Sequence, residues 1–275
     1  MKVEDCIVSV ERRTVGGCLD LGFVFFRHFA LPLLQLTACF AIPCSLVVWV
    51  IADAMRHDVL VPSMIIFGFF AMLASGALVA TVGPQVFGVP MSVRGAVKGL
   101  LSRLLAYALI GFLFRLSGLC LVLPLVFVMA WGGHLPEVMF LERTSFNQIT
   151  QRLSWLSKGG GYSRNVGRLI TIFSFWAVFS FGLFMIFDVI SGMVFNAPIV
   201  AGTLVAGPDW WADITSRLLD DPLVVVVLQA TLWLTFPIVR LAWFFCYLDQ
   251  RIRNECWDLE LQFRVESIRL EEQTT

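Results

Sequence analysis

Long apolar runs separated by short charged stretches dominate this chain. Residues 29–52, 60–82, 169–194 and 224–247 each stay apolar for more than the about 20 residues that a helix needs to cross a bilayer core. Within the first run, Pro32 suits an opening turn and Pro43 predicts a kink. The second carries Ala71, Ala74, Ser75, Gly76, Ala77 and Ala80, small residues suited to close helix contact, and Gly83-Pro84 is expected to end it. Ser92 is placed to cap a helix from Val93, with Arg94, Lys98 and Arg103 on its surface-level turns. Residues 104–141 read either as one tilted helix with an interfacial piece or as two spans turning near residues 115–118. Between 144 and 158, Phe146, Ile149, Leu153 and Leu156 recur at spacings of three and four, an amphipathic helix that Gly159-Gly160-Gly161 should stop. Pro208-Asp209 before Trp210-Trp211 predicts a capped interfacial helix, and Pro222 opens the last span.

Composition agrees with this pattern. Of 275 residues, 58% are hydrophobic and 15% charged, less charge than a soluble surface of that size carries. Net charge is zero and no basic run suggests nucleic acid. No short apolar core with a small-residue cleavage site precedes the first span, so no cleaved leader is expected. The seven cysteines form no C-x-x-C pair and are expected as free thiols. Lysine and arginine are unevenly placed: segments 1–28, 83–103, 142–168 and 249–275 hold 4, 3, 5 and 4, whereas 53–59 and 196–222 hold one each. Basic loops favour the cytoplasm, which puts both termini inside. The region 104–141 is flanked by basic segments on both sides, which requires an even number of crossings there and favours the hairpin.

Three charges fall inside spans or at their turns: Arg115, Asp188 and Arg240. Each costs about 2.5 kcal/mol or more in mid-membrane unless it is paired or reaches water. Arg115 and Asp188 both fall toward the outer half and form a candidate intramembrane pair, while Arg240 is expected to reach the cytoplasmic interface along its own long side chain. His28, His57 and His134 are too scattered for a metal site, and Gly132-Gly133-His134-Leu135-Pro136 reads as a break in a span. Nucleophile, zinc and phosphate-loop motifs are absent, so no cofactor, no metal and no catalytic residue is expected.

At residue 249 the character changes from apolar to densely charged. As a helix, Asp249 would pair with Arg253 and Arg251 with Glu255. Trp257, Leu259, Leu261, Phe263 and Val265 alternate with polar residues, a strand-like period; on a helical wheel the same segment shows two apolar stripes. Asp249, Arg251, Arg253, Glu255, Trp257, Asp258, Glu260, Leu261 and Phe263 are the candidate partner-docking tail.

The chain resembles the six-span bacterial membrane domain fused to some glycerophosphodiester phosphodiesterases and found more often standing alone. The matching pieces are Gly88-Val89-Pro90-Met91-Ser92 with Ala96, Pro124 followed 17 residues later by Leu141-Glu142, Arg152-Leu153-Ser154-Trp155-Leu156, and Asp249-x-Arg251-x-Arg253-x-Glu255-x-x-Asp258-x-Glu260. Cys256 stands where that pattern commonly has glycine, and no His-Arg-Gly of the catalytic module occurs. The resemblance implies a module of the bacterial inner membrane and does not imply hydrolase activity.

The fold expected is therefore all-α: a polytopic membrane bundle of about six transmembrane helices with interfacial amphipathic helices and both termini cytoplasmic. Residues 1–28 form an interfacial segment, 29–248 the membrane domain and 249–275 a charged cytoplasmic helix. The function expected is a non-enzymatic interaction or assembly component whose partners are the lipid bilayer and a membrane or cytoplasmic protein. The alternative is a small-solute or lipid transporter, which would require broken helices carrying polar residues that converge at the midplane.

Overall fold

A computed structural model describes residues 12–55, 58–86, 93–101, 103–120, 122–196, 215–217 and 219–255. The described residues contain no strand. In chain order the helices are α1 (Val15–His28), α2 (Ala30–Met55), α3 (Leu60–Val86), α4 (Val93–Leu101), α5 (Leu104–Cys120), α6 (Val122–Gly132), a π-helical turn (Glu137–Leu141), α7 (Phe146–Leu156), α8 (Gly161–Phe195) and α9 (Pro222–Glu255). Four of them, α2, α3, α8 and α9, are long and apolar enough to cross a membrane.

Local chemistry explains the boundaries. Thr14 caps α1 by accepting the Gly17 amide at 3.2 Å. Asp221 accepts the Leu223 amide at 2.9 Å and Pro222 takes the first helical position of α9, where its missing N–H costs nothing. Gly159 and Gly160 stop α7 with φ of +60° and +78°, conformations open to glycine. Two expectations are corrected. Gly83-Pro84 does not end α3, which continues to Val86: Gly83 is buried with Leu141 packed against it, so the helix is held there by a contact distant in sequence. The turn expected near residues 115–118 is not there, because Arg115 through Gly118 continue the helix that Leu104 begins and that runs to Cys120. Helix α8 begins at Gly161, directly after the glycine turn, so Arg164 and Arg168 ride on its first turns.

The chain divides into two compact units, and the division cuts through α2, α3, α8 and α9. One unit contains residues 33–74 and 173–237. Its core includes Phe67 stacked edge-on to Trp233 at 5.0 Å, and Phe184 with Val224. Buried polar groups find partners across helices: Gln229 donates to the Ser63 carbonyl at 2.8 Å, and Trp176 donates its indole N–H to Thr235 at 2.9 Å. The turn before α3 is tied to the approach to α9 by Val59 N–H to Leu219 C=O at 2.8 Å.

The other unit contains residues 1–32, 75–172 and 238–275. Its central stave is α9, buried at every position from Leu241 to Gln250. Helix α1 packs along it through Cys18, Gly22 and Phe25; a Cβ at Gly22 would lie 3.1 Å from the Ile238 carbonyl and 3.2 Å from the Ala242 amide. Helices α5 and α6 form the hairpin, with Phe114 packed edge-on to Trp131. Helix α7 buries Ile149, Leu153 and Leu156, the expected stripe, while Phe146 stays exposed.

Candidate functional site

The second unit gathers polar groups at two adjoining places along α9. The first is the end of α9 itself. Asp249, 2% exposed, receives Arg168 from α8, the Arg253 guanidinium at 2.8 Å and the Arg13 amide at 2.7 Å. Arg253 also donates to the Arg13 carbonyl at 3.1 Å, and Arg168 to that of Cys246 at 3.0 Å. Two residues further round the helix, Arg152 of α7 bridges Glu142 at 2.6 Å and Glu255, while Arg251 holds Glu255 at 2.7 Å. Tyr247 donates its hydroxyl to Glu142. Gln250 and Asn254 both donate to the Leu156 carbonyl, the latter at 3.2 Å, which closes the C-terminus of α7. Arg103 performs the same task for the π-helical turn and the residues after it, donating to the carbonyls of Met139, Arg143 and Thr144 at 2.9–3.2 Å.

These contacts set the acid–base state of the loop. Burial alone would push the Glu142 carboxyl up, but the Arg152 hydrogen bonds, the Tyr247 hydroxyl and the charges of Arg152 and Arg251 outweigh it and hold the group below the ordinary glutamate range. Arg152 is held above its ordinary value, chiefly by its hydrogen bond to Glu142.

The second place lies deeper. After α6 the helix breaks: Gly133 and His134 form a turn, and Glu137 opens the π-helical turn. Gly133 is there because a Cβ would come within 2.4 Å of the Met129 carbonyl and 3.0 Å of the Trp243 ring. The Trp243 indole N–H donates to the Gly133 carbonyl at 3.0 Å, and its ring stacks on His134 at 4.6 Å. Glu137 is 0% exposed and accepts from Arg240, 6% exposed, at 2.6 Å. Glu137 Oε2, Arg240 Nη1 and both ring nitrogens of His134 have no hydrogen-bond partner among the described residues. Asn165 of α8 donates to the Ala130 carbonyl at 3.2 Å, one helical turn before His134, and its Oδ1 is likewise unpaired. Buried polar atoms are nearly always satisfied, so five such atoms around one helix break call for an explanation.

The fold distributes the residues singled out in the sequence unevenly. Arg240 does not reach out along its side chain; it is buried and paired with Glu137, an acid that sequence patterning does not flag because residues 132–136 read only as a break. Arg115 donates to the Gly111 carbonyl at 3.4 Å within α5, and Asp188 is buried on α8; they belong to different units, each described by itself. Asp249, Arg251, Arg253 and Glu255 are helical and engaged with this chain's own residues, including the expected Asp249–Arg253 and Arg251–Glu255 pairs. Trp257, Asp258, Glu260, Leu261 and Phe263 lie outside the described residues, as do Pro208–Trp211 and Ser92. The i,i+4 pairs are legible in sequence. The contacts of Glu142 with Tyr247, Arg152 with Glu255 and Arg168 with Asp249 are not, since only the fold joins residues 81–105 positions apart.

Comparisons with protein-family models, with curated proteins and with solved structures found no match to the chain. The resemblance to the six-span membrane domain therefore rests on the sequence pieces alone.

Proposed function

We propose that this is a non-enzymatic protein of the bacterial inner membrane that crosses the bilayer six times and works as an interaction or assembly component. The four long helices, α5 and the run from α6 through the π-helical turn (residues 122–141) make the six crossings, with both termini on the cytoplasmic side. Supporting this sidedness, Arg13, Arg103, Arg152, Arg168 and the end of α9, drawn from all four basic segments, belong to one unit, whereas the two basic-poor turns meet through Val59 and Leu219 in the other.

The observation that carries the interaction reading is the way the C-terminal charges are used. A topology marker needs only basic residues near the interface. Here the guanidiniums of Arg152 on α7 and Arg168 on α8, and the backbone N–H and C=O of Arg13, clamp residues 249–255, so the tail beyond Glu255 follows a clamped segment of helix. The apolar positions of that tail, Trp257, Leu261 and Phe263, are the proposed contact residues, and the partner is a membrane or cytoplasmic protein. A photo-crosslinking residue placed at Leu261 or Phe263 in the full chain, in intact membranes, is expected to give a discrete protein adduct that a control at lipid-facing Val178 does not. Equal labelling at all three positions rules this reading out.

A second reading, passage of a small polar solute, is favoured by one observation: a broken helix that carries Glu137 beside Arg240.

A further inference from the structure

The Glu137–Arg240 contact has a geometry that a purely structural pair does not need. A guanidinium has five donors in a planar fork, and a carboxylate has about four acceptor sites, so a buried pair gains most as a two-pronged contact with its remaining groups satisfied. Here one bond of 2.6 Å joins Arg240 Nη2 to Glu137 Oε1, while Nη1 and Oε2 stay unpaired. The His134 ring and the Asn165 side chain, buried on the same helix break and on α8, act on each other, yet neither imidazole nitrogen nor the Asn165 oxygen has a partner at full hydrogen-bond geometry among the described residues. These atoms comprise donors and acceptors together, with formal charges that cancel between Glu137 and Arg240. Such a set does not select a simple anion or cation; it matches water, which makes about three hydrogen bonds to otherwise unsatisfied groups.

A line of groups connects this centre to the charged end of α9. Tyr247 donates to Glu142, and its ring lies 5.6 Å from that of His134. The titratable and charged groups facing Glu137 are Arg240 and Tyr247 on α9, Tyr107 on α5 and Glu142 at the end of the π-helical turn; Arg240 and Arg168 act on His134.

We propose that His134, Glu137, Arg240 and Asn165 form a hydrated proton-binding site that exchanges with the cytoplasmic face past Tyr247 and Glu142. The proton arrives as a protonated water, an O–H bond forms at Glu137 Oε2 as one breaks on that water, and neutral water is left; release is the reverse, with no change of oxidation state. Arg240 turns to the other polar atoms and waters when Glu137 is neutral. This goes beyond the interaction reading and stands or falls apart from it, because it involves no residue after Glu255.

Infrared spectroscopy of the full-length protein in lipid, titrated with acid and transferred to heavy water, tests it. A carboxylic-acid C=O band is expected that appears on acidification, shifts promptly on isotope exchange and is lost in Glu137→Gln, with Tyr247→Phe slowing the isotope shift. A band unaffected by Glu137→Gln, or one that never exchanges, overturns the proposal. If Glu137→Gln does not fold, Glu137→Asp and Arg240→Lys must each displace the titration of that band; no displacement by either overturns it equally.

Discussion

Glu137 and Arg240 are both buried, so removing one leaves the other without its charge partner away from bulk water. Arg240→Leu alone is expected to destabilise by about 3–5 kcal/mol, and Glu137→Met with Arg240→Leu to recover much of the loss, since a well-packed apolar pair is often as stable as a buried ion pair. Thermal unfolding of the three proteins in one detergent checks it. Glu142 supplies a pH dependence of defined sign. Its carboxyl is held below the ordinary glutamate range in the folded protein, so its contribution is present above that range and lost as pH falls through the folded value. Unfolding midpoints measured through the acid range should fall more steeply for the wild type than for Glu142→Gln; parallel curves would remove Glu142 as the source of the dependence.

At the level of elements, periodic apolar signals are legible in the sequence and long-range polar contacts are not. Ile149, Leu153 and Leu156 at helical spacing predict α7, and all three are buried. Leu153→Ala is expected to cost about 2–5 kcal/mol, read from the same unfolding experiment, because truncating a buried leucine removes contacts and leaves a void. The long spans are legible because a bilayer imposes a minimum apolar length. Their limits are less so: α3 passes Gly83-Pro84 because Leu141 packs against Gly83, a contact between residues distant in sequence that no local rule reveals. Glu137 escapes notice for a related reason. A glycine-rich break signals where a helix stops, and only the fold brings Arg240, 103 positions later, onto the acid behind it. Gly133→Ala tests that junction. The added Cβ meets the Met129 carbonyl and the Trp243 ring, and the expected result is loss of thermal stability with an altered Trp fluorescence. An unchanged spectrum would mean that Trp243 does not sit on the break.

At the level of the whole molecule, the helical residues divide into a unit that gathers basic segments and a unit that gathers the basic-poor turns. Long-range order in charge is therefore visible in the sequence without any knowledge of contacts, since sixteen of the twenty lysines and arginines fall in four segments. Helices α8 and α9, of 35 and 34 residues, would each be about 50 Å long, well beyond the roughly 30 Å hydrocarbon core. Their surplus turns carry Arg164, Arg168 and Asp249 to Glu255, and the ion pairs there belong to the fold. A chain cut after Gln250 would lose Arg251, Arg253 and Glu255 from that network, so truncations that probe the tail should begin after Glu255.

The six-crossing arrangement is the premise on which the proposed function stands, and sidedness tests it most directly. Reporters placed after Gly118, after Gly160, after Gly207 and at the C-terminus are expected to report the outer face, the cytoplasm, the outer face and the cytoplasm, in that order. The same side for Gly118 and Gly160, the same side for Gly160 and Gly207, or opposite sides for Gly160 and the C-terminus, would contradict it.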